Sequence, residues 1–186
     1  MDALKLLLGR DSAVRLQEPG PGDEALEAIF QSALRAPDHG RLRPWRFIVI
    51  VGDKRARFGE VLAESLLSRQ PQATPDMLAR ERQKPLRAPV IVVVAARTQA
   101  NDKIPEVEQI ISAGAAAQNI MLAVHAQGYG AFWRTGEPAY DIGVKRALGL
   151  EPTDAIIGFI YIGTRVGGPS PLPRPVTEEF VTTWRG

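Results

Sequence analysis

Two stretches of the chain concentrate side chains able to hold a charged ligand. The first spans residues 35–51, RAPDHGRLRPWRFIVIV, where Arg35, Asp38, His39, Arg41 and Arg43 crowd a loop stiffened by Pro37 and Pro44. A plain connection has no need of so many titratable groups around two prolines. A loop that presents an anionic ligand to a rigid sheet would use them, while a solvated basic turn is the bland reading of the same residues. The second stretch is Arg10-Asp11-Ser12-Ala13-Val14-Arg15. There a guanidinium offers a planar fork of donors and a serine hydroxyl one more, the equipment of a phosphate site beside a helix end. An ordinary surface turn shares that composition, so spacing alone leaves both readings open.

The remaining residues narrow the chemistry. With no cysteine in the chain, disulfides, zinc–thiolate sites, iron–sulfur clusters and a cysteine nucleophile are excluded. There is no GxGxxG, Walker loop, HExxH or GxSxG. The two histidines, His39 and His125, lie far apart, which argues against a metal site. His125 sits on an uncharged helical stretch and reads as a hydrogen-bonded core residue. What is left is the basic loop, the 10–12 turn, the aromatic segment Gly130-Ala131-Phe132-Trp133-Arg134 behind two helix-breaking glycines, and an apolar helix before it. A phosphorylated, flat, redox-active ligand such as FMN would use all four. Its phosphate needs cations and hydroxyls, its ring needs an apolar slot, and it brings its own chemistry.

These residues need a scaffold, and a chain of 186 residues is enough for one domain with its own core. Its 23 basic and 21 acidic residues nearly cancel, which predicts no general attraction to nucleic acid. The pattern predicts short helices at 3–9 and 76–83. Longer amphipathic helices are expected from Asp23 as N-cap to about residue 36, and onward from Asp53. Strands are expected at 45–51, 89–96, 130–134 and 155–163. The run at 45–51 is apolar enough to be covered on both faces. Residues 70–86 read as a mobile excursion, either a surface connection or a pocket cover. The stretch 110–133 carries no Lys, Arg, Asp or Glu. Ser112, Gln118, Asn119, His125 and Gln127 interrupt it, so it reads as a helix over 106–127 buried in protein rather than a membrane span. A monomer of this size rarely encloses such a helix, which points to a homodimer using it. The Pro- and Gly-rich tail after Arg165 reads as an arm over a neighbouring subunit. Nothing at the N-terminus has the form of a signal peptide, so a cytoplasmic protein is expected.

The patterns Ala36-Pro37-Asp38-His39 and Pro44-Trp45-Arg46-Phe47, with Ser112-Ala113-Gly114, AQGYGAFWR at 126–134 and GFIYIGT at 158–164, resemble the flavin-dependent nitroreductase family. The likeness is strongest to its short bacterial members and covers nearly the whole chain. It implies an α+β fold: a central mixed, mainly antiparallel sheet flanked by helices, with a long buried central helix, in an intertwined homodimer. It also implies one FMN in each of two interface sites, and a ping-pong reaction in which NAD(P)H is the transient reductant and a nitro compound, quinone or similar small molecule the acceptor. By position, Arg10, Asp11 and Ser12 would hold the phosphate and ribityl chain. Arg35 and His39, with Pro37 and Asp38 beside them, would reach the flavin from the partner subunit. Ala131, Phe132 and Trp133 would line the ring with Arg134 adjacent, and Arg165 would be a second phosphate contact. The chain departs from the family at Asp11, where a second arginine is usual. It departs again at Val14, where a basic residue is usual, and at Arg43, which replaces a glutamine. A non-turnover flavin carrier or sensor, or a flavin dehydrogenase or oxygenase on the same scaffold, would also use these residues.

Overall fold

The structure is a computed structural model that describes residues 2–169 and 175–186. Its centre is β3 (Val90–Ala96), VIVVVAA, in which every residue is buried. Alternate side chains explain this. Val90, Val92, Val94 and Ala96 enter one core cluster while Ile91, Val93 and Ala95 enter the other, so the sheet carries a core on each face. β3 lies between β2 (Trp45–Val51) and β5 (Ala155–Arg165). β5 also pairs with β1 (Leu16–Gln17) and β4 (Gly130–Arg134). The expected mixed, mainly antiparallel sheet is antiparallel throughout among the described residues.

On one face lie α2 (Asp23–Ala33) and α5 (Glu106–Ala126). On the other lie α3 (Lys54–Arg69) and α6 (Ile142–Ala147). α4 (Pro75–Gln83) lies against α3 at Gly59, where a Cβ would meet the Arg82 carbonyl oxygen at 2.5 Å. That contact, together with the Arg82–Glu60 pair at 2.8 Å, holds the 70–86 excursion to the body. α1 (Ala3–Gly9) buries none of its residues.

Three expectations need correction. β2 is covered on both faces only in part: Trp45 enters one core and Ile50 the other, but Val49 and Val51 are exposed, and β2 is the edge strand among the described residues. An apolar run identifies a strand but does not say whether a neighbour lies beyond it. Asp23 is the first residue of α2 rather than its cap; Gly22 occupies that position, and the Asp23 carboxylate serves the helix dipole instead. Asp53 stands at the cap of α3 without a side-chain capping bond. As expected, one chain does not enclose α5 completely: Val107 and Ile111 stand exposed at 57% and 63%. Its ends are as expected, with Pro105 before it and Gly128 at φ 83° after it. No helix among the described residues is long and apolar enough to cross a membrane. Residues 170–174 of the expected arm lie outside the described residues.

Candidate functional site

The 10–12 turn leaves α1 with Arg10 at the helix C-cap. It is tied to β4 by the Ala13 N–H, which donates to the Ala131 carbonyl at 2.9 Å. Gly130 permits this approach: a Cβ there would lie 2.7 Å from Ala13 Cβ and 2.8 Å from Leu16 Cδ2. The Asp11 side chain is only 7% exposed and takes donors from Arg165 on both oxygens. Nη1 donates to Oδ2 at 3.1 Å and Nη2 to Oδ1. Arg165 Nη1 also donates to the Gly168 carbonyl at 3.1 Å. Arg165 thus balances the Asp11 carboxylate where it stands. The structure gathers Arg10, Asp11, Ser12, Ala131 and Arg165 at one corner of the sheet.

Along β4 the side chains alternate between faces. Ala131 and Trp133 pack with the α5-side core, and Phe132 with the α3-side core. Trp133 Nε1 donates to the Ile157 carbonyl at 3.2 Å. Its indole lies against Gly158, where a Cβ would collide with it. The Arg134 guanidinium stacks over the Phe132 ring at 4.2 Å. Ala131, Phe132 and Trp133 therefore border both faces of the strand.

The 35–43 loop stands elsewhere, at the N-terminal end of α5. Ser112 Oγ donates to the Pro37 carbonyl at 2.6 Å, and His39 Nδ1 lies 2.6 Å from Glu108 Oε2. The Asp38 carboxylate accepts from the Arg43 N–H at 2.8 Å. Gly40, Arg41 and Arg43 have φ of 67°, 56° and 49°. Two arginines in the left-handed region cost roughly 1–2 kcal/mol each, and the Asp38 bond is one of the contacts that hold them there. Arg35 is exposed. The turn carrying Arg10 is at the opposite end of α5: a Cβ on Gly9 would lie 3.9 Å from His125 Nε2. From Glu108 to His125 the helix advances roughly 25 Å at 1.5 Å per residue. One chain does not bring its two basic groups together. The half-buried His125 side chain makes no hydrogen bond among the described residues, against the expectation of a bonded core histidine.

Sequence reasoning allowed residues 70–86 as a pocket cover but did not locate the cavity of about 570 Å³ between α3, the end of α4 and the α3-side face of β4 and β5. Phe58, Phe132 and Phe159 give it an aromatic floor, and Arg87, Arg134 and Tyr161 line it too. Tyr161 is 6% exposed, yet no described group hydrogen-bonds its hydroxyl. Burial pushes its phenol above the ordinary range; Arg134 and Arg87 pull it down and Glu81 adds to the rise. Glu81 Oε1 is paired with Lys84 Nζ at 2.5 Å, while its Oε2 is buried without a partner. The signal available in the sequence was slight: a tyrosine in an otherwise apolar strand, and basic residues in the excursion.

The sequence profile described as the Nitroreductase family matches residues 15–164. This chain belongs to that family. Relatives align end to end. YdjA of Escherichia coli (strain K12), named as a candidate NAD(P)H nitroreductase, is 39% identical over 183 residues, 98% of this chain and 99% of that one. A Haemophilus influenzae protein named in the same way is 34% identical over 184 residues, covering 98% and 99%. Among solved structures, a nitroreductase-like protein from Bacillus cereus superposes with a TM-score of 0.86 at 20% identity, over 100% of this chain and 97% of that one. A candidate nitroreductase from Desulfovibrio desulfuricans, solved in complex with FMN, gives 0.74 at 26% identity over 100% and 99%. The nitroreductase fold expected from the motifs is the fold of this chain.

Proposed function

We propose that this nitroreductase-family chain binds FMN and, with NAD(P)H as reductant, reduces nitro compounds, quinones or similar acceptors in a ping-pong cycle. The carrying observation is the corner where the turn of Arg10 and Ser12 is tied to Ala131 through the Ala13 N–H, beside an Asp11 already balanced by Arg165. The donor set fits the cofactor. A phosphate dianion asks for a guanidinium and a hydroxyl, which Arg10 and Ser12 supply. The salt bridge to Arg165 answers the objection that Asp11 would repel it. Ala131, Trp133 and the backbone of β4 offer an apolar border for a flat ring, with Phe132 and Arg134 across the strand. When bound, FMN supplies the hydride and electron transfer, so the chain needs no nucleophile or metal of its own. The FMN-bound Desulfovibrio relative and the NAD(P)H nitroreductase names of the bacterial relatives support this reading.

The site requires two copies of the chain. His39 lies at the far end of α5 from Arg10, roughly 25 Å away along the helix, a distance longer than one FMN, and Arg35 stands four residues before it on the same loop. A two-fold axis that packs α5 antiparallel against its copy brings Arg35 and His39 of the partner subunit to the Arg10 corner. Exposed Val107 and Ile111 supply the apolar contact. The test begins with the visible spectrum of the purified protein and identification of released flavin, expected as FMN at about one per chain. Arg10→Ala should weaken FMN binding at least tenfold, as loss of one charge-assisted bond predicts. Unchanged affinity removes Arg10 from the phosphate site.

A further inference from the structure

We infer that the cavity between α3, α4 and the β4–β5 face is a binding site for a flat aromatic carboxylate, recognised by Tyr161, Arg87 and Arg134. The cavity volume of about 570 Å³ falls in the range of small-molecule sites. Three phenylalanines make one wall suited to an aromatic ring, and Phe58 and Phe159 already pack against each other with centroids 5.8 Å apart.

The polar groups decide the sign of the ligand. Four cations line the cavity, Arg69, Lys84, Arg87 and Arg134, against two carboxylates, Glu81 and Glu137. Each carboxylate has a local cation: Glu81 pairs through Oε1 with Lys84 at 2.5 Å, leaving only its Oε2 without a partner, and Glu137 meets Arg69 at 3.8 Å. Arg87 and Arg134 have no carboxylate partner among the described residues. They line the cavity together with Tyr161, whose hydroxyl no described group bonds, and the Arg134 guanidinium lies 5.9 Å from the Tyr161 ring centroid. The Arg134 guanidinium carbon lies over the Phe132 ring, 4.2 Å from its centroid. Two guanidinium groups without carboxylate partners, in one cavity with the Tyr161 hydroxyl, form a site for an oxyanion, and a carboxylate on a flat ring satisfies the oxyanion group and the aromatic wall together. That this ligand is the electron acceptor rests on the FMN reading above, since Phe132 and Arg134 share β4 with the residues assigned to the cofactor.

The test separates the two ideas. Calorimetric binding of benzoate and of benzamide to the purified protein measures the site without turnover. Benzoate should bind at least tenfold more tightly. Arg87→Gln and Tyr161→Phe should each weaken benzoate about tenfold, leaving benzamide binding and FMN content as in the parent. In turnover, kcat/KM should favour 4-nitrobenzoate over 4-nitrobenzamide by the same factor, and the variants should erase that preference. Equal binding of benzoate and benzamide by the parent protein overturns the site. So does a loss of FMN affinity in either variant, which would hand the cavity to the cofactor. Benzoate discrimination in a protein that binds no FMN would keep the site and reject its role as acceptor pocket.

Discussion

Removing Arg165 should harm the protein in two measurable ways, and removing Asp11 as well should repair one of them. The pair spans 154 residues of sequence and joins the 10–12 turn to the end of β5 through two hydrogen bonds. Breaking a fully buried pair costs about 3–5 kcal/mol, whereas an exposed pair contributes under about 1 kcal/mol. Here the carboxylate is 7% exposed and the guanidinium 22%, so the expected loss for Arg165→Ala lies between, at roughly 2–3 kcal/mol. Asp11→Ala should cost less, roughly 1–2 kcal/mol, because the released guanidinium still reaches solvent and keeps the Gly168 carbonyl. For a chain of this length the larger loss corresponds to a Tm fall of roughly 4–12 °C. Urea unfolding of the two single variants and the double variant gives the coupling energy, expected at about 1–2 kcal/mol. FMN titration of the same proteins supplies the second readout. Arg165→Ala alone takes two donors from a carboxylate beside Arg10 and should weaken FMN binding at least tenfold. Asp11→Ala combined with Arg165→Ala should recover most of that affinity. If the stability losses simply add, with coupling under about 0.5 kcal/mol, the pair carries no interaction. If the double variant binds FMN as poorly as Arg165→Ala, Arg165 contacts the phosphate directly and its balancing role is refuted.

Other consequences follow from exposed and buried residues away from that pair. Ile111→Asp places a charge on the open face of α5 and should convert a species of twice 20.3 kDa into one of 20.3 kDa in analytical ultracentrifugation, with loss of bound FMN; an unchanged dimer moves the interface elsewhere. Tyr161 is held neutral by burial, its folded pKa lying above the ordinary 10.0. The stability this confers is complete below the unfolded pKa and is lost as pH rises through and beyond it. Urea midpoints between pH 8 and 11 should therefore fall more steeply for the parent than for Tyr161→Phe, and parallel curves would show that the phenol is not buried in solution.

The sheet was legible because its physics is local. Seven consecutive small and β-branched residues before Arg97 can be little else than a strand covered on both faces, and β3 is that strand. The same reasoning overreached at β2, whose outer neighbour no pattern within the segment could report. The helix ends were legible where proline and glycine fixed them, at Pro105 and Gly128. They were misplaced where an aspartate next to a glycine offered two plausible caps. Of the site, residue types were readable but partners were not. Asp11 looked like a liability beside a phosphate until the fold placed Arg165 against it. The cavity was hard to locate for a related reason: Tyr161 reads as one more core residue in an apolar strand, and only the pairing of Phe132 with Tyr161 in the sheet shows that Arg134, over the Phe132 ring, also lies 5.9 Å from the Tyr161 ring.

The distribution of exposed apolar residues argues for the same two-copy site as the polar ones do. In one chain, α1 exposes Leu4, Leu7 and Leu8, α5 exposes Val107 and Ile111, and β2 exposes Val49 and Val51. A seven-residue helix with no buried side chain has little reason to persist in water, since short isolated helices are marginal and most helical stability comes from packing an apolar face. α1 nevertheless positions Arg10. If its leucines are covered by a second copy, then pairing two chains orders the phosphate end of the site in the same step that brings in Arg35 and His39 of the partner subunit. Cofactor binding and dimer formation are then one linked equilibrium, and added FMN should raise the dimer fraction of any variant weakened at the interface.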